Sequence, residues 1–312
     1  MKKMLRRVAR ATPGYAAIRS VVRGSSVKLR DIDGFQMYLD VNDQGLGRSL
    51  YKHGERELCF MHILNTEIEE GMIAADLGAN IGYTTLYMCR GVGAEGSVFA
   101  FEPDPRVRPL LTKNIDANGF GDTTRIFPMA ISNSQGEAMF NIASAQNLGS
   151  LGQTVQTIRR IPVKTETLTT FFGNRNIVPN ILKMDVEGHE VEILDGGFEL
   201  FASSDETVKI LMEVHPKMYS EEHSLATQLE RYLEIGFRVK YVVSTPVAQP
   251  RLFRELGYSP TLTIPTDGRI RAIYDKISDS DAIRLACFPH EETTPTETSQ
   301  KIVRSIMIER SG

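Results

Sequence analysis

Two rhythms of apolar residues alternate along this chain. Short unbroken apolar runs recur, each followed by a longer stretch in which apolar side chains return every third or fourth position. The first rhythm predicts buried strands, the second amphipathic helices. The clearest pair is the run at 73–77, ending in Asp76 and Leu77, and the helical pattern that carries Leu86, Tyr87 and Met88. Gly78, Ala79, Asn80, Ile81 and Gly82 join them. A second apolar run at 97–101 ends in Glu102 and Pro103, and residues 106–118 then read as a helix through Val107, Leu110, Leu111 and Ile115. The pattern repeats as a strand at 180–185, a helix at 186–200, a strand at 208–214, a helix at 221–235 and a strand at 237–243. Such alternation predicts an α/β fold, a mostly parallel sheet with helices on both faces.

Other segments read less sharply. Residues 27–41 alternate like a hairpin turning at Asp33-Gly34. Residues 45–47 read as loop and 55–66 as a helix. A third strand is expected at 124–130, with 138–142 as its antiparallel continuation. Residues 143–157 look like a loop able to act as a lid, 161–165 like a short strand and 168–172 like a short helix. Near the end, 245–265 reads as irregular, 270–286 as mixed, 291–299 as exposed loop and 301–308 as a last strand. The expected organisation is a basic extension at 1–30, a hairpin and helix at 31–70, a cofactor-binding core at 71–245, and an extension at 246–312 that completes the sheet.

Composition narrows the partners. The 312 residues are 41% hydrophobic and 24% charged, enough for a sizeable core. A formal charge of −3 argues against nucleic acid. Cys59, Cys89 and Cys287 form no paired motif and read as buried thiols of a reducing compartment. No apolar run approaches the ~18 residues of a membrane span, so a cytoplasmic protein is expected. Only basic charges precede Asp31, with Met4, Leu5, Val8 and Ile18 among them. That segment suits the anionic inner face of a membrane; a solvated extension is the plainer reading.

The loop after the first strand carries the chemistry. Gly78 and Gly82 allow a ligand close to the main chain, and the next helix starts with amides that lack helical partners. Glu102, 26 positions after Asp76, ends the second strand, where an acid can accept both hydroxyls of a ribose. An adenosine cofactor fits this geometry. A carboxylate just before the loop would repel a pyrophosphate, and the third glycine of a dinucleotide fingerprint is missing. Both features favour S-adenosyl-L-methionine (SAM), whose methionine part carries a cationic amino group, over NAD or FAD.

Four segments together resemble FkbM-type SAM-dependent methyltransferases: Asp76-Leu-Gly-Ala-Asn-Ile-Gly-Tyr-Thr-Thr85, Val98-Phe-Ala-Phe-Glu-Pro-Asp-Pro105, Lys113-Asn114 with Asn118-Gly119, and Leu182-Lys-Met-Asp-Val-Glu-Gly-His-Glu190. Arg56-Glu57 upstream and Leu211-Met-Glu-Val-His215 downstream also fit, so the resemblance covers roughly residues 50–245. It implies the class I, Rossmann-like methyltransferase fold: a seven-stranded sheet, parallel except for the last strand. It places Asp76, Gly78, Ala79, Asn80 and Gly82 on the methionine side of SAM. It puts Glu102 on the ribose, Ala130 and Ile131 near the adenine, Glu57 at the amino-acid end, and Asp185 facing the methyl group.

SAM already carries a good electrophile, so the enzyme has mainly to align a nucleophile and remove its proton. Acids and histidines cluster at the ends of neighbouring strands: Asp185, Glu187, His189 and Glu190, then Glu213 and His215. Asp185, Glu187, His189 and Glu213 are the foremost catalytic candidates. Carboxylates with imidazole can also hold a divalent metal, but their spacing matches no metal motif, and no metal is assigned. His189 stands where many relatives carry a small or apolar residue. The expected reaction is O-methylation of a sugar, glycan, glycolipid or small metabolite. Competing readings are a SAM-binding protein without catalysis, a nucleotide-dependent oxidoreductase and a membrane-surface adaptor.

Overall fold

The computed structural model describes residues 26–145, 148–152, 157–294 and 296–312. The basic extension up to residue 25 and parts of the 143–157 loop lie outside these. No helix among the described residues is long and apolar enough to cross a membrane.

The main sheet has nine strands, numbered here in chain order: β1 (Ile73–Leu77), β2 (Ser97–Phe101), β3 (Thr124–Phe127), β4 (Ile181–Met184), β5 (Val208–Glu213), β6 (Arg238–Ser244), β7 (Leu262–Thr266), β8 (Arg269–Tyr274) and β9 (Val303–Arg310). Their spatial order is β3-β2-β1-β4-β5-β9-β6-β8-β7. From β3 through β5 every pairing is parallel. The last strand, β9, inserts antiparallel between β5 and β6. That is the expected seven-stranded arrangement, enlarged at one edge by the hairpin β7–β8, which joins β6 through β8.

The central strands are apolar on both faces because helices cover both. On one face, Phe99 and Phe101 of β2 share a core with Phe171, Phe172, Phe201 and Tyr232. The other packs against Met37, Leu39, Leu86, Met88 and Leu111. Reversal of the chain order between β1 and β4 leaves a crevice beyond the strand tips, where ligands bind in open α/β sheets.

Several local expectations change. Pro128 has no amide to donate to the ladder, and the chain leaves the main sheet there. Residues Met129–Ile131 instead pair parallel with Thr157–Glu166, which pairs antiparallel with Gly136–Ala143. The expected hairpin of 138–142 with 124–130 is therefore absent; its partner comes later in the chain. Residues 45–47 open a short helix, Leu46–His53. The hairpin Val27–Ile32/Phe35–Asp40 turns at Asp33 and Gly34, both at positive φ. Buried Asn114 links it to the glycine loop, accepting from the Tyr38 amide at 2.6 Å and donating to the Ile81 carbonyl at 2.8 Å.

Candidate active site

The site is built from the tips of β1, β2, β4 and β5. After β1 the chain turns through Gly78, Asn80 and Gly82, all in the left-handed region. A Cβ on Gly78 would sit 2.3 Å from the Asp185 carbonyl oxygen, so only glycine lets this loop lie against the tip of β4. Behind the loop, Lys183 and Asp76 are both buried, with Nζ 3.0 Å from Oδ1. Lys183 also donates to the Gly78 carbonyl at 2.9 Å, and Thr85 donates to the second Asp76 oxygen at 2.7 Å. Burial pulls the Lys183 pKa down, but Asp76 and then Asp185 outweigh it and hold it above the usual lysine value. The Asp76 carboxylate thus faces inward, and Lys183 with Gly78 forms the wall of the crevice there. Gly82 packs against Leu111 of the neighbouring helix, outside that wall.

The crevice is a polar chamber of about 280 Å³ beside a narrower apolar slot. Glu57, Ala79, Asn80, Glu187 and Glu213 line the chamber. Phe101, Met129, Ala130, Ile131 and Leu151 line the slot. Gly78, Glu102, Phe140, Gly149 and Asp185 face both. Glu102 is buried and accepts the amides of Asn80 at 2.8 Å and Asp104 at 2.7 Å. Burial nevertheless pushes its pKa up to about 7. Part of the 143–157 loop covers the site: Ser150 donates to the Glu187 carbonyl at 3.0 Å.

Acids and bases meet on the chamber's far side. The helix expected from residue 186 starts at Glu190, which leaves Val186, Glu187 and Gly188 as a loop with Glu187 at φ 52°. Burial and then Asp185 raise the Glu187 pKa to about 7; burial and then Glu213 raise that of Asp185 to about 6. Glu213 differs. Lys301 at 2.7 Å and Arg304 at 2.8 Å overcome its burial and hold it well below the usual carboxylate range. His215 has Nδ1 3.0 Å from Glu190, and Nε2 3.5 Å from Glu187 and 3.6 Å from Glu213. Burial lowers its pKa, but Glu190 and Glu213 raise it to about 9, so at neutral pH it is an imidazolium.

Of the four foremost catalytic candidates, Asp185, Glu187 and Glu213 come together here. His189 turns away. Its ring lies 2.9 Å from Ser132 Oγ and 3.3 Å from Glu192, on the wall of the apolar slot, and burial keeps its pKa low. Two partners in the chamber escaped the sequence reading. Lys183 is a cation inside an otherwise apolar strand, and that oddity was the available signal; Arg304 lies in a strand with other charged residues and gave none.

The arrangement suits a cationic ligand. Asp185 and Glu187 are acids whose charge the protein leaves least compensated, and an arriving cation relieves exactly that deficit of positive charge. An apolar slot lies beside these acids, and Glu102 stands at the boundary of the two cavities. A pyrophosphate would face the same acids unfavourably. Oxygen and nitrogen atoms of Asp185, Glu187 and His215 lie within 4.8 Å of one another, as do those of Glu57, Asp185 and Glu213. In each set, however, a member is already committed: His215 to Glu190, and Glu213 to two cations.

The model of the methyltransferase FkbM domain matches residues 76–258. The hexuronic acid methyltransferase AglP of Haloferax volcanii is 28% identical over 217 residues, 68% of this chain and 83% of that protein. Among solved structures, a SAM-dependent O-methyltransferase from Thermotoga maritima superposes with a TM-score of 0.40 at 14% identity, covering 85% of this chain and 70% of its own. M. jannaschii TYW2 in complex with AdoMet gives 0.41 at 14% identity, covering 92% and 88%.

Removing one partner of a buried ion pair strands the other charge, at a cost of about 3–5 kcal/mol. Lys183→Met is therefore expected to lower the unfolding free energy by roughly that amount. Denaturant melts of the two proteins measure it, and an unchanged midpoint would show that Asp76 needs no cation.

Proposed function

The chain belongs to the methyltransferase FkbM family, and from that premise we propose that it methylates a hydroxyl of a sugar acceptor held over the polar chamber. It is a SAM-dependent methyltransferase; SAM supplies a methyl group on a positively charged sulfur. What the chain's own residues add is position, dryness and a base. The 78–80 loop would hold the methionine side, Glu102 the ribose, and Ala130 and Ile131 the adenine. Glu57 would meet the amino-acid end, its Oε1 already fixed by Arg304 at 2.7 Å and Arg56 at 3.0 Å. Phe140 and Leu148 supply apolar wall to the chamber.

The reading rests chiefly on Glu187. It is a carboxylate at the chamber wall whose pKa stands near neutrality, where a general base works best. In this role it takes the proton of the acceptor hydroxyl, while Asp185, facing both cavities, stabilises the positive charge beside it. Glu213 is too firmly ionised to be an effective base, and its task is to anchor Arg304 and Lys301. The name of the Haloferax volcanii relative makes a hexuronate the first acceptor to try.

Methyl glucuronide should raise the release of S-adenosylhomocysteine and gain one methyl group by mass spectrometry. If the protein binds S-adenosylhomocysteine yet methylates neither uronates nor neutral glycosides, it acts as a SAM-binding protein without this catalysis. The base must be unprotonated, so kcat/KM should fall as pH drops through about 7 and level off above it. Glu187→Gln should lower turnover by about 10²–10⁴-fold and abolish that limb. A retained limb would assign the base to another group.

A further inference from the structure

Glu57 holds an unusual conformation. It is not glycine, yet its φ is +54°, and it stands immediately before the helix Leu58–Glu67. Left-handed backbone in such a residue persists only where the surroundings impose it, and it gathers at functional sites. Its side chain offers the helix start no capping hydrogen bond. The cap comes from far away in the chain. The Glu57 amide donates to Asp267 Oδ1 at 3.3 Å, and the Leu58 amide donates to Thr266 Oγ1 at 3.0 Å. These acceptors lie more than 200 residues downstream, at the tip of the hairpin β7–β8.

That tip is itself held rigidly. Asp267 and Gly268 both take positive φ, the signature of a tight two-residue turn. Arg271, whose side chain is only 8% exposed, donates to Asp267 Oδ2 at 2.8 Å. One Asp267 oxygen therefore binds the following strand β8 while the other accepts the Glu57 amide. From β9, Arg304 then fixes the Glu57 carboxylate. Thr266, Asp267, Arg271 and Arg304 all lie beyond the matched 76–258 domain.

We infer that the β7–β8 turn is part of the cofactor site, with Asp267 as a positioning residue that sets the backbone of Glu57 and so aims its carboxylate into the chamber. This rests on the reading of Glu57 as a contact for the amino-acid end of SAM. A turn that held only the fold would affect stability; a turn that aims Glu57 affects affinity through Glu57 alone.

Calorimetric titration of the full chain with S-adenosylhomocysteine separates these roles without any acceptor. Asp267→Ala should weaken binding about 10-fold, the equivalent of one hydrogen bond to a charged group. Asp267→Asn, which keeps an acceptor oxygen, should restore most of the affinity. In a Glu57→Ala background, Asp267→Ala should cost nothing further. Thr266→Val and Thr266→Ser give the same comparison at the neighbouring amide if Asp267→Ala fails to fold. Additive losses, or full affinity in Asp267→Ala and Thr266→Val beside a weakened Glu57→Ala, overturn the inference alone. Wild-type affinity in Glu57→Ala overturns the reading of Glu57 and the inference with it.

Discussion

The buried pair of Lys183 and Asp76 is the constraint from which the site follows. Two charges out of water are tolerated only when each is satisfied by the other and by further hydrogen bonds. Here those bonds run to Thr85 and to the Gly78 carbonyl. The ammonium thereby ties neighbouring parallel strands to the loop that leaves the first of them. With the loop fixed, the Asn80 amide reaches Glu102, and Glu102 in turn orders the start of the segment beyond β2. One electrostatic contact thus propagates through three strand tips, and most of the chamber's inner wall inherits its geometry.

On that frame the protein sorts its acids by partner. Glu213 and Glu190 have close cations or donors and stay charged, whereas Asp185 and Glu187 have fewer and sit near neutrality. The same residue type therefore does two jobs within one crevice. Paired carboxylates act as fixed anchors for Arg304, Lys301 and His215. Less compensated ones remain available to a positive ligand and to a proton. The division depends on β9, because Arg304 stands on it and Lys301 just before it, and both cations face an acid at the end of β5.

Much of this was legible in the sequence. Alternating rhythms located β1, β2, β4, β5 and β6, since strands packed between two helical layers are mostly apolar runs. The small-residue loop and the acids at the strand ends were legible for the same reason: they interrupt those runs. Side-chain direction was not. His189 and His215 read alike as histidines near acids, and only the late helix start at Glu190 separates them, by placing His189 against Ser132. The hairpin β7–β8 was hidden because Pro265 and scattered polar residues mask its alternation. Asn114 could be read as a packing residue, but its link to the 35–40 strand joins positions 76 residues apart that no local pattern connects.

The position of β9 has a consequence for how the protein is made. It is the last of the described strands in chain order, yet its place lies between β5 and β6, not at an edge. Until residues 303–310 emerge, the nascent sheet carries an open slot with unpaired amides and carbonyls on both sides. Such unpaired edges are sticky, and they invite pairing with other chains. The growing polypeptide must keep that slot empty for residues 303–310, so the strand that closes the sheet also delivers Arg304 to the chamber.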